Sequence, residues 1–271
     1  MRAFVLTYHS GRISGNDYRT NNLVALAEDL ETIRALDLPI VPLCGLVDAL
    51  LHRGAPALPE KSVAITFDDG LDFDFVELVH PFHGLQASAC SVLRRFATAH
   101  SVPVHATTFV IASPRAREQI ARREMLDHQW IGEHWWADAV ASGIFHVANH
   151  SWDHVSPSVS PVGQRDGRSG AFTLVDTFDD AELQVRRAHD YIAERAPNAG
   201  TALLAYPYGD ASAYMTDEYL PVHGEKGGTL AAFTGRPGVM HQDSNRWALP
   251  RYCCGTDWES PQALARLLSV S

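Results

Sequence analysis

The chain has 271 residues, 46% hydrophobic and 20% charged, an ordinary composition for a folded protein with room for one large α/β domain or two small ones. A net charge of −10 without any run of Lys or Arg excludes a nucleic-acid footprint and disfavours strongly anionic substrates. Nothing approaches the ~18 apolar residues of a membrane span, and no apolar core of signal-peptide length follows the N-terminus, so a cytoplasmic location is expected for the chain as written, or an exported one if a leader preceded it.

Ala3–Tyr8 reads as a first strand and runs into His9 and Ser10. Leu23, Leu26, Leu30 and Ile33 then recur at helical spacing behind a capping Asn21 or Asn22, up to Pro39. Val63–Phe67 is a second strand, ending on Asp68, Asp69 and Gly70. Residues 71–102 read as helical or irregular. Within them Asp72, Asp74, Glu77, His80 and His83 are expected on a solvated acidic helix and loop rather than at a second metal site. Ala106–Ile111 is a strand, residues 114–143 are helical pieces, and Phe145–Asn149 is a strand that runs into His150-Ser151-Trp152-Asp153-His154. Ser, Pro, Gly and Asp crowd residues 155–177, a long loop. Asp179 or Asp180 caps a helix through Leu183, Ala188 and Ile192, stopped by Pro197. Ala202–Tyr206, Leu230–Thr234 and Trp247–Tyr252 complete the strands, and Ser260-Pro261 opens a last helix. The alternation predicts an α/β fold with about seven mainly parallel strands, as a barrel or an open sheet. No repeat or linker divides the chain, so one domain is expected.

Parallel strands end on one side, and in α/β folds that edge binds ligands. It would gather His9, Asp68, Asp69, His150, His154 and Tyr208. On a helical turn, His150 and His154 would share a face. Two imidazoles and one carboxylate make a site with open positions that suits catalytic zinc or non-haem iron(II). Asp-Asp-Gly alone is a common turn. Beside the histidine pair it gains a second meaning: one acid binds the metal, the other serves as base, and the cation offsets their repulsion. Trp130 is expected to be packing, while Trp152 is equally suited to packing or to stacking on a substrate. Cys44, Cys90, Cys253 and Cys254 form no CxxC pair, which argues for reduced thiols rather than a thiolate zinc site.

These residues resemble the polysaccharide deacetylase family, carbohydrate esterase family 4, with its NodB homology domain. The family's first motif stands unchanged at Thr66-Phe67-Asp68-Asp69-Gly70, and its second, His-Ser/Thr-x-x-His, is close to His150-Ser151-Trp152-Asp153-His154. The resemblance implies a distorted, TIM-like (β/α) barrel over residues 1–271 and removal of N-acetyl groups from an acetylated sugar or polysaccharide. It implies Asp68 as general base, and Asp69, His150 and His154 as ligands of one divalent ion, zinc first, with cobalt, nickel or iron(II) as alternatives. Tyr206, Pro207, Tyr208, Trp152 and Arg251 would line the substrate. Two motifs depart from the family pattern. No Arg precedes Tyr206-Pro207-Tyr208-Gly209, and the C-terminal Leu-x-x-His is missing. Both departures resemble the permuted branch that deacetylates poly-N-acetylglucosamine, where an N-terminal Tyr-His supplies the acid. Here Tyr8-His9 fits, with His241 a weaker substitute, and Arg251 is the candidate to replace the missing Arg beside Asp68. Two alternatives are a hydrolase of a small linear or cyclic amide and an inactive carbohydrate-binding relative. The intact acids and histidines argue against inactivity.

Overall fold

The computed structural model describes residues 2–52, 58–160 and 168–269. Seven strands form one sheet path, with β10 (Tyr252–Cys253) beside β1 (Arg2–Tyr8), then β2 (Lys61–Phe67), β5 (Ala106–Val110), β6 (Phe145–Asn149), β7 (Leu203–Ala205) and β8 (Ala231–Phe233). Every pairing on this path is parallel. Only the short β9 (Met240–His241) joins it antiparallel, against the start of β1. The path curls until Leu249 bridges Phe233 of β8 while Tyr252 pairs with Leu6 of β1. The result is a distorted, open (β/α) barrel.

The expected strand over Trp247–Tyr252 is therefore wrong in extent. Pro250 lacks the N–H that a ladder needs, so the segment makes a single bridge at Leu249 and resumes pairing only at Tyr252.

Alternation along the strands separates two apolar regions. Inside the barrel, Ala3, Val5, Ala64, Ala148, Ala205 and Ala231 leave room for Phe109 and Phe233. The same cluster takes in Leu43, Leu46, Val47 and Leu50 of α2 (Leu43–Leu50), a helix the sequence reading missed. Outside, Phe4, Leu6, Tyr8, Ile65 and Phe67 meet α1 (Asn22–Ala35), α3 (Ala89–His100) and α8 (Pro261–Ser269). Leu23, Leu26, Leu30 and Ile33 of α1 are all buried there, each worth about 1.5–3 kcal/mol. The α1 cap is Asn21, whose side chain accepts from the Leu23 N–H at 2.9 Å.

Residues 71–88 depart from the expected acidic helix. A 3₁₀ turn (Asp72–Asp74) is followed by a hairpin of β3 (Leu78–His80) and β4 (Gly84–Gln86). Asp72 and Asp74 are buried, not solvated. Asp72 accepts from the Gly132 N–H at 2.7 Å and Trp135 Nε1 at 2.9 Å, and Asp74 accepts from the Thr108 hydroxyl. Beyond β5, α4 (Pro114–Glu124) and α5 (Trp136–Ala141) match the helical pieces expected in residues 114–143. The helix after the long loop is capped by Thr177, two or three residues before the expected Asp179 or Asp180. It runs as α6 (Phe178–Ala181), a π-helical segment (Glu182–Arg186) and α7 (Arg187–Arg195). Part of that loop, 161–167, lies outside the described residues.

Candidate metal centre

Four of the parallel strands deliver the site from their carboxyl ends. His9 follows β1, Asp68 and Asp69 follow β2, His150 follows β6, and Tyr208 lies three residues beyond β7. Together with Arg12, Arg251, Cys253 and Thr256 they line a cavity of about 340 Å³. Ligand atoms of Asp69, His150 and His154 all fall within 4.8 Å of one another. Asp69 Oδ1 stands 3.7 Å from His150 Nε2 and 3.5 Å from His154 Nε2.

The two acids occupy the end of β2 by a change of backbone rather than by strand alternation. Asp68 extends the ladder by donating its N–H to Tyr8 O at 3.1 Å. Asp69 then turns into the left-handed region, φ 75, and Gly70 follows at φ 70. The histidine loop uses the same device. Ser151, His154 and Val155 have φ of 72, 59 and 49, so His150 and His154 converge through left-handed residues and not on the helical turn expected. Such conformations cost about 1–3 kcal/mol each and persist only when their surroundings fix them. Here the surroundings are explicit. Asn149 Oδ1 accepts from the Ser151 N–H, Ser151 Oγ from the His154 N–H, and Asp153 Oδ1 from the Val155 N–H. Gln184 and the Val185 carbonyl, both in the π-helical segment, clamp Asp153 and Asn149 from behind.

The donor set fits a divalent cation. Burial pushes both imidazoles down to about 4, so their lone pairs are free near neutral pH. His150 Nδ1 donates to Ala205 O at 2.9 Å, which fixes the tautomer and leaves Nε2 to face Asp69. The second acid is held differently. Arg251 donates Nη1 to Asp68 Oδ1 at 2.7 Å and Nη2 to Oδ2 at 2.8 Å, while its Nε donates to Thr234 O. Burial alone would raise the Asp68 carboxyl, but the Arg251 guanidinium and the nearby His150 hold it well below the usual carboxylate range. His9 shifts upward. Burial opposes this, yet the Cys253 thiol at 4.0 Å from Nδ1 and the carboxylates of Asp69 and Asp68 prevail.

Not every expected residue reaches the cavity. Tyr206 is fully buried outside the barrel against Phe172, with its hydroxyl donating to Trp247 O. Pro207 is buried and absent from the cavity wall. Trp152 packs edge-on to Tyr191 beneath the Arg187 guanidinium and lines a separate cavity with them. His241 sits opposite Arg2, at the far end of β1 from His9. Trp130 packs against Phe73 and His128, as expected. Sequence reasoning missed Arg12, Cys253 and Thr256. Their positions just beyond β1 and at β10 are the signal that would have found them. Among the described residues all four cysteines are free thiols.

The sequence pattern of the family described as polysaccharide deacetylase matches residues 55–220, more than half of the chain. No curated protein matches. Among solved structures, the deacetylase PplD of Streptococcus pyogenes, in complex with acetate, aligns with a TM-score of 0.66 at 16% identity, over 100% of this chain and 99% of its own. IcaB from Ammonifex degensii aligns at 0.62 and 20% identity, over 99% and 97%. A de-N-acetylase from Aggregatibacter actinomycetemcomitans aligns at 0.62 and 15% identity, over 93% and 94%. At these identities the three likenesses show a shared fold.

Proposed function

This chain belongs to the polysaccharide deacetylase family, and from that premise we propose that it hydrolyses the N-acetyl amide of an acetylated amino sugar, using one divalent ion, zinc first. The observation that carries the proposal is the Asp69, His150 and His154 trio with the ionised Asp68 beside it. Two imidazoles and one carboxylate with open positions form the donor set of catalytic zinc sites. When bound, such an ion supplies Lewis acidity to the amide carbonyl and makes a nearby water more acidic.

The residues divide the proton work. Asp68 accepts the proton of the attacking water at a carboxylate oxygen. Arg251 uses only one lone pair of each oxygen, so a second remains for that proton. As the carbon–nitrogen bond breaks, His9 gives a proton to the departing amine. Its Nδ1 faces Cys253, which leaves Nε2 for this transfer. The oxygen and one hydrogen of water end in acetic acid and the other proton on Asp68, while the amine leaves with the His9 proton; loss of the Asp68 proton and reprotonation of His9 then restore the enzyme. An acid drawn from the turn after β1 supports the permuted poly-N-acetylglucosamine branch, since His241 lies at the opposite end of that strand. Tyr208, half exposed beside His154, serves as one wall for the sugar.

The test is the metal content of purified protein by elemental mass spectrometry, wild type against His150→Ala, followed by acetate release from acetylated sugars. About one divalent ion per chain, lost in the variant, together with acetate release is the expected result. Protein that takes up no metal after incubation with divalent ions would overturn the proposal.

A further inference from the structure

One charge in the cavity has no part in the proton transfers above. Arg12 lies three residues past His9, on the same turn, and lines the cavity with the metal trio. Its backbone is pinned, since its N–H donates to His9 O at 2.9 Å and its carbonyl accepts from the Asn22 N–H at 3.1 Å. The guanidinium is much less committed. Nη1 makes one bond of 3.4 Å to Cys254 O, at the limit of a hydrogen bond, and no carboxylate of the described residues pairs with it. Gly255 faces it without a side chain, and a Cβ there would sit at ordinary contact distance, 3.5 Å, from Nη1. Most of the guanidinium donors are left for a ligand.

The local charge balance gives this arginine its meaning. Asp68 is already matched by Arg251, and Asp69 would be matched by the cation that it, His150 and His154 could hold. A divalent ion, two carboxylates and two guanidiniums, with Arg12 at the exposed rim, would give the cavity a charge of about +2 before the proton carried by His9 is counted. A group inside the cavity feels this field rather than the −10 of the whole chain. The expectation drawn from net charge therefore reverses at the site.

We propose that the cavity takes N-acyl substrates bearing an anionic oxygen group, carboxylate or phosphate, on the amine half, and that Arg12 binds that group. The amine half is specified because Arg12 shares its turn with His9, the donor to the departing amine. The substrate class rests on the deacetylase reading, whereas anion binding by Arg12 can be measured without turnover.

The experiment has two arms, run on metal-loaded wild type, Arg12→Gln and Arg12→Lys, with melting temperature and metal content recorded for each. The first is calorimetric binding of the amine products glucosamine, glucosamine 6-phosphate and muramic acid. The second is acetate release from the three corresponding N-acetyl compounds. In wild type at least one anionic product should bind about tenfold more tightly than glucosamine, and whether phosphate or carboxylate does so identifies the source. Arg12→Gln should abolish that difference and raise KM for the matching substrate about tenfold relative to the neutral one, with kcat far less affected. Arg12→Lys should restore part of it, because it keeps charge but not the fork. Equal binding of neutral and anionic products, or a preference that survives Arg12→Gln, would overturn the proposal. If no substrate releases acetate, the deacetylase reading fails, and the binding arm alone decides the role of Arg12.

Discussion

A single methyl group at position 70 has no place to go. The backbone there is left-handed, and a Cβ would meet Val110 Cγ1 at 2.6 Å and Val110 Cα at 2.8 Å. Gly70→Ala is expected to cost at least ~2 kcal/mol in denaturant unfolding and to lower metal content with it, because the same turn aims Asp69. Asp29 offers a test of opposite character. It is buried behind the site and accepts from Tyr8 and Tyr18 hydroxyls and Trp258 Nε1. Burial raises it to about 6 from 3.8, against those three donors. The folded state therefore holds a proton that the unfolded state gives up between these values, so this group's contribution to stability falls as pH rises from about 3.8 to about 6 and stays low above. Asp29→Asn should remove that slope. Denaturation midpoints at acid and neutral pH should show wild type gaining on the variant as pH falls, and a pH-independent difference would refute the assignment. At this scale Asp68, Asp69 and His150 were legible because each directly follows a strand, and His154 because it stands four residues after His150. Tyr206 lies outside the cavity because residues adjacent in sequence point to opposite sides of a strand end, and a motif does not say which side is the cavity, while Trp152 packs against Tyr191, one of the two roles open to it.

Elements were legible where local chemistry decides them. Asn21 caps α1, Ser260 accepts from the Ala263 N–H at the start of α8, and β1, β2, β5 and β6 appear within two residues of their expected ends. The hairpin of β3 and β4 was not legible, because its Val79, Phe82 and Leu85 are exposed and leave no alternating pattern. Nor was α2, whose short apolar run carries no side-chain cap. The π-helical segment was also invisible, although it matters most to the site. Its Gln184 donates to Asp153 Oδ1 at 2.8 Å and accepts from the Asp153 N–H at 3.3 Å, so it holds the histidine loop from outside. Gln184→Ala should weaken metal affinity about 10–100-fold without touching a ligand, as read by competition with a chelator. Unchanged affinity would assign the clamp to the Asn149–Val185 bond instead.

For the whole molecule, the metal is an expected ligand of the folded state alone, so its binding and its stability are linked. At a free concentration near 100 times the dissociation constant, the ion should add ~2.7 kcal/mol. In a chain of this size that is about 5–10 °C in melting temperature. Stripping the ion with a chelator should reverse the gain, and a melting temperature indifferent to both would argue against a trio formed only on folding. The barrel itself also has an order of assembly. Asp69, His150 and His154 emerge early in synthesis, but the guanidinium that balances Asp68 belongs to residue 251, and the strand that closes β8 onto β1 lies beside it. During translation the nascent chain holds a buried acid without its counter-charge and an open sheet edge on each side. Residues 249–253, made after the other barrel strands, both neutralise the site and seal the barrel, so synthesis interrupted before them should yield chains prone to associate through those edges rather than partly active enzyme.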